Sequence, residues 1–166
     1  MEFKRIFVTV GTTEFNNLIE KLSSKEVYEV LKCRLKCKEL IIQRGNGKEI
    51  DFSHFKEINV QQFDLKTSIE RDITEADLVI SHAGAGTCID VLGKKKPLLV
   101  VVNDTLMNNH QIELAEQLHK DGYLVYCFLS NLVETLETFD ASSLKEYEKG
   151  NLNQFIEYLD DFMGFI

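Results

Sequence analysis

No stretch of this 166-residue chain approaches the length of apolar run that a bilayer span requires. The opening Met1-Glu2-Phe3-Lys4-Arg5 enters a predicted strand directly and has none of the pattern of a cleaved leader, so a cytosolic chain is expected. Positive charge is in short supply: 19 Lys and Arg stand against 27 Asp and Glu, a formal net charge of −8. That balance argues against nucleic acid or an anionic membrane surface as a general partner, and any anion must be held locally. There is no His-Glu-x-x-His, no Asp-x-Asp and no G-x-x-x-x-G-K-[ST], and His54, His82, His110 and His119 show no ligand spacing, so no metal site is expected. Cys33, Cys37, Cys88 and Cys127 form no C-x-x-C pair and read as small, reduced, mostly buried side chains. Repeats and low-complexity segments are absent as well.

What is present is an alternation of short apolar runs and periodic stretches. The pattern predicts strands over 3–10, 40–43, 57–62, 77–81, 98–102 and 124–128, and helices over 16–22, 25–35, 66–75, 87–93, 109–120 and about 131–138. The single proline, Pro97, closes the helix before it, and Lys94-Lys95-Lys96 read as solvated charge at that helix C-terminus, on the face away from the preceding glycine turn. The strand Leu98–Val102 is apolar throughout, as in a parallel sheet covered on both faces. Alternating strands and helices imply an α/β fold, a Rossmann-like parallel sheet with flanking helices over residues 1–150. A terminal amphipathic helix at 151–166 would carry Leu152, Phe155, Ile156, Leu159, Phe162 and Met163 on one face, as a candidate contact for a partner or for its own sheet.

Ligands of such sheets bind at the carboxyl ends of the strands, where Gly11-Thr12-Thr13, Arg44-Gly45, Gln62-Phe63, His82 to Thr87 and Asn103 to Gln111 converge. The richest of these turns is Ser81-His82-Ala83-Gly84-Ala85-Gly86-Thr87. A strand, a glycine turn and a helix start present unpaired N–H groups and the positive end of a helix dipole to an anion such as a phosphate. Gly84 and Gly86 would let a diphosphate approach the backbone, and Thr87 adds a hydroxyl donor. A tight turn without a ligand is the plainer alternative. A dinucleotide oxidoreductase would need G-x-G-x-x-G after the first strand and an acid closing the second, whereas this chain has one glycine in the first turn and Gln43-Arg44 in the second. The pairs Gly45/Gly47 and Gly84/Gly86 both lack the third glycine, so NAD is disfavoured.

VTVGTT near the N-terminus, ADLVISHAGAGT with Asp90 following, KPLLVV and LMNNHQIELA occur in an order and spacing that resemble a known family. It is that of the cytosolic catalytic subunits of the two-part UDP-N-acetylglucosamine transferase of asparagine-linked glycosylation. More distantly the chain is similar to the donor-binding half of the bacterial enzyme that glycosylates lipid-linked muramyl pentapeptide. The likeness covers residues 3 to about 126. It implies the C-terminal, donor-binding half of a glycosyltransferase-B fold, with inverting, metal-independent and cofactor-free transfer of N-acetylglucosamine from UDP-N-acetylglucosamine to N-acetylglucosaminyl-diphosphodolichol. It also implies a membrane-anchored, acceptor-binding partner subunit that supplies the general base at the cytosolic face of the endoplasmic reticulum. On this reading Gly84, Ala85, Gly86 and Thr87 stabilise the leaving diphosphate and Gly11, Thr12 and Thr13 assist. Asp90 takes the ribose hydroxyls where the family usually has glutamate, or alternatively pairs with Lys94 on its own helix. Asn109, His110 and Gln111 meet sugar and diphosphate, and Arg44 is a diphosphate contact or a surface charge. Phe63 with Gln62 flanks uracil or is a core aromatic, and His82 shapes the loop or lies near phosphate. A noncatalytic nucleotide-sugar-binding module and an NAD-dependent sugar-nucleotide enzyme are the alternatives.

Overall fold

The protein is described by a computed structural model, which covers residues 2–102 and 109–148, with the side chains of 109–111 outside the described set. The terminal stretch 151–166 and the loop ahead of residue 109 therefore lie outside the described residues. Six strands form one parallel sheet: β1 (Arg5–Thr9), β2 (Glu39–Gln43), β3 (Asn59–Phe63), β4 (Leu78–His82), β5 (Leu98–Val102) and β6 (Val125–Phe128). Their order is β3-β2-β1-β4-β5-β6, so the chain starts in the middle, winds to one edge, returns and winds to the other. The reversal falls between β1 and β4, which is where such sheets open a crevice for ligands.

Alternation along the strands sorts the core into two layers. Ile6, Val8, Leu40, Ile42, Leu78, Ile80, Leu99 and Val101 pack with α1 (Asn16–Leu22), α2 (Lys25–Glu29) and α6 (Leu132–Thr138). Phe7, Ile41, Val79, Leu98, Val100 and Val102 face α3 (Glu70–Glu75), α4 (Ala85–Gly93) and α5 (Asn109–Lys120). The all-apolar β5 is buried at every position because both its faces are covered, as the sequence pattern requires. β3 is an edge strand and is only partly buried.

Several boundaries move for local reasons. The helix expected over 25–35 is α-helical only to Glu29, and a π turn at Val30–Arg34 closes it, with Lys36 at φ 60°. The helix expected from 66 begins at Glu70, whose amide donates to the Ser68 hydroxyl at 3.2 Å, while Lys66 ahead of it turns its ammonium onto the Asp72 carboxylate at 2.9 Å. α4 begins at Ala85, two residues before the expected start, so Gly86 and Thr87 lie in its first turn. It ends with Lys95 at φ 55° and the Lys96 amide bonded to the Val91 carbonyl, a C-cap set by backbone geometry ahead of Pro97. Three thiols are buried as expected, and burial pushes Cys37 up to about 12 and Cys88 and Cys127 to about 11; Cys33 is exposed.

Candidate functional site

At the carboxyl edge, β1, β2 and β4 each end an apolar run with one buried polar residue: Thr9, Gln43 and Ser81, neighbours in register. The Thr9 hydroxyl donates to Gln43 Oε1 at 2.5 Å and accepts the Gly11 amide at 3.1 Å. This row is the floor on which the loops stand. The sequence reading passed over it, although a lone polar residue closing three apolar strands was a visible signal.

Gly11 turns at φ 65°, and a Cβ there would stand 2.9 Å from His82 Cε1. A Cβ on Gly84 would stand 2.6 Å from His82 Nε2. The imidazole thus fills the space between the first loop and the glycine turn, and both glycines are small to admit it. Gly84 answers first to His82, which revises the expectation that it is there for a ligand. Burial pushes the His82 imidazole below the ordinary histidine value, with the Thr9 backbone pulling weakly the other way, so the ring is neutral near pH 7. Its Nδ1 is buried without a partner among the described residues. The geometry fits a loop-shaping spacer.

Gly86 differs. Among the described residues, a Cβ there would meet nothing within 4 Å. Ala85 and Gly86 are exposed, Thr87 is half-buried, the Gly84 N-cap makes no side-chain bond to the helix, and no acidic side chain occupies its first turn. Three residues of open amide donors and an uncancelled dipole face solvent at the end of a nine-residue helix.

Beside this helix a cavity of about 480 Å³ is lined by Gly11, Thr12, Gln43, Leu65 to Glu70, Ile73, Asp90 and Lys94. Asp90 has no ion pair or hydrogen-bonded side-chain partner among the described residues. Lys94, expected on the far face, lies in this cavity wall and bonds Glu70 Oε1 at 2.6 Å. The alternative Asp90–Lys94 pair is therefore not made. A larger cavity of about 1070 Å³ runs along the β3 edge, lined by Lys38, by residues of the 49–60 stretch and by Gln62, which of the residues expected to meet the nucleotide is the one that faces it.

The other expected residues divide. Thr12 is exposed at the cavity, while the Thr13 hydroxyl donates to the Val10 carbonyl at 2.9 Å. Arg44 is engaged by its own chain, donating to the Gly47 carbonyl at 3.0 Å and pairing with Asp64 at 2.6 Å. Phe63 is not in the lining of this cavity: half-buried, its ring stacks parallel to Phe7, carries the Lys66 ammonium 3.9 Å from its centroid and lines a neighbouring cleft of about 480 Å³ with Gln62, Lys66 and Ser68. Gln62 spends its amide on both backbone groups of Ile50. Asn109 opens α5, and the side chains of Asn109, His110 and Gln111 lie outside the described residues. Among the described residues no group of three or more His, Cys, Asp or Glu could hold a metal ion, and no helix is long and apolar enough to cross a membrane.

Comparison with known proteins places this architecture. Residues 5–161 match the model of the glycosyltransferase family 28 C-terminal domain. The UDP-N-acetylglucosamine transferase subunit ALG13 of Mus musculus is 47% identical over 129 residues, which are 75% of this chain and 11% of that protein. The chain thus spans only about a tenth of that relative. The solution structure of an ALG13 superposes with a TM-score of 0.68 at 28% identity, covering 95% of this chain and 96% of the other. The crystal structure of Acinetobacter baumannii MurG matches with a TM-score of 0.64 at 20% identity, over 85% of this chain and 42% of that one, a likeness of fold.

Proposed function

The chain belongs to the glycosyltransferase family 28 C-terminal domain family, and from that premise we propose that it is the donor-binding subunit of an N-acetylglucosaminyltransferase that uses UDP-N-acetylglucosamine. The observation that carries the reading is the open N-terminus of α4, on a helix whose next turn puts Asp90, without a partner among the described residues, into a cavity shared with Gly11 and Thr12. In sugar transfer the bond from the anomeric carbon to the diphosphate breaks and negative charge grows on UDP. Amides of Ala85, Gly86 and Thr87, with the helix dipole behind them, take up that charge without a metal ion. Losing one preorganised donor of this kind costs about a hundredfold or more in rate. Asp90 accepts the ribose hydroxyls, and Asn109, His110 and Gln111 meet the sugar and diphosphate.

The acceptor hydroxyl attacks the anomeric carbon from the opposite side, inverting it, and yields its proton to a base on a second, membrane-anchored subunit at the cytosolic face of the endoplasmic reticulum. The acceptor is N-acetylglucosaminyl-diphosphodolichol, and the apolar stripe Leu152, Phe155, Ile156, Leu159, Phe162 and Met163 docks the partner. An NAD enzyme is disfavoured because β2 ends in Gln43, which Thr9 already engages, and not in an acid.

The test is transfer of labelled N-acetylglucosamine to the lipid acceptor by the full chain with the partner in membranes. Activity that vanishes with Gly86→Asp, on a chain that still folds and binds the partner, supports the reading. Binding of the nucleotide sugar with no transfer in the assembled complex would instead identify a noncatalytic module. Truncation after Gly150 is expected to abolish partner binding while leaving the fold intact; retained binding would remove the terminal segment from the interface.

A further inference from the structure

Asp90 and Lys94 stand one helical turn apart, a spacing at which carboxylate and ammonium ordinarily pair. Here they do not. Lys94 reaches across the cavity mouth to Glu70 Oε1 at 2.6 Å, and Asp90 keeps its carboxylate without a partner among the described residues. Glu70 opens α3 and Lys94 follows α4, so this bond joins the two walls of the cavity. The Lys94 ammonium holds the Glu70 carboxyl below its usual value.

We infer that Glu70 is a positioning residue for the donor nucleotide: by drawing the Lys94 ammonium away, it keeps the Asp90 carboxylate free to accept the vicinal hydroxyls of a ribose. An aspartate is short, and at a position where the reach to a ribose is already limited, neutralisation by a neighbouring lysine would cost most. The inference rests on the reading of this cavity as the donor site. It adds a role for Glu70, and one for Lys94, which the sequence pattern alone places among solvated charges.

The test measures binding of UDP and of 2′,3′-dideoxy-UDP to the full chain, since only the former offers the diol. Wild type is expected to prefer UDP about tenfold or more, as hydrogen bonds to a charged acceptor do. Glu70→Gln, which releases Lys94 onto Asp90, is expected to cut that preference about twofold. Adding Lys94→Met to Glu70→Gln is expected to restore it, a rescue that a merely structural role for the ion pair would not produce. Unchanged preference in Glu70→Gln, or no rescue in the double variant, overturns the inference. No preference in wild type overturns the reading of the cavity as the donor site, and the inference with it. Amide spectra of each variant report whether the fold is kept.

Discussion

Two glycine pairs of identical spacing, one in a loop and one at a helix start, sit at the same edge of this sheet and do opposite things. Gly45 and Gly47 are filled by the protein itself: a Cβ on Gly45 would lie 2.1 Å from the Thr13 carbonyl oxygen, and one on Gly47 would lie 2.6 Å from Asn16 Oδ1. Asn46 sews the same loop to the first by bonds to the Thr12 and Thr13 carbonyls, each 3.0 Å. Gly86, by contrast, faces open space among the described residues, and Gly84 stands between, its missing Cβ replaced by the His82 ring. A glycine that its own fold requires is evidence about folding. A glycine that nothing in its own fold requires is evidence about a ligand.

Substitutions break this comparison in order of size. Gly45→Ala meets backbone on two sides and holds φ at 58°, so it is expected to cost roughly 3 kcal/mol in a denaturant melt, the scale of strained backbone plus overpacking. Gly84→Ala meets only a side chain, which can swing aside; a loss of about 1–2 kcal/mol is expected, with weaker nucleotide binding as the two loops part. His82 supplies a pH signature of intermediate size. Its folded value is depressed, so stability is full above the unfolded value of about 6.5 and falls as pH drops through the folded one. His82→Phe is expected to flatten that slope below about pH 6.5 in stability measurements. Gly86→Ala has the smallest effect on stability and of opposite sign, a gain of up to about 1 kcal/mol from helix propensity. Its new methyl should nonetheless weaken UDP binding about tenfold, equivalent to about 1.4 kcal/mol. Equal destabilisation by Gly45→Ala and Gly86→Ala would dissolve the contrast.

The distinction could not be read from the chain, where both pairs are simply G-x-G. The fold class was legible because hydrophobic periodicity is local: Leu98–Val102 was placed to the residue, and α5 over Asn109–Lys120 likewise. The edge at which the candidate loops converge was legible too, since every strand of a parallel sheet sends its carboxyl end the same way. Partnerships were not, because they join residues far apart in sequence. Arg44 meets Asp64 across 20 positions and Lys94 meets Glu70 across 24, and nothing in either neighbourhood announces the other. Phe63 shows the same limit: an aromatic at a strand end has one sequence signature whether it waits for a base or lies against Phe7 under a lysine. The helix start at Ala85 was misplaced by two residues because Gly86 reads as a turn residue, and its position inside the first turn is what leaves the amides there uncovered.

The most direct test of the account is a titration of the full chain with UDP-N-acetylglucosamine, followed through its backbone amide resonances. The account predicts saturable shifts at Gly11, Thr12, Ala85, Gly86, Thr87 and Asp90, with Gly45, Asn46 and Gly47 nearly still. Shifts concentrated at the Gly45 loop, with the α4 N-terminus silent at saturation, would contradict it.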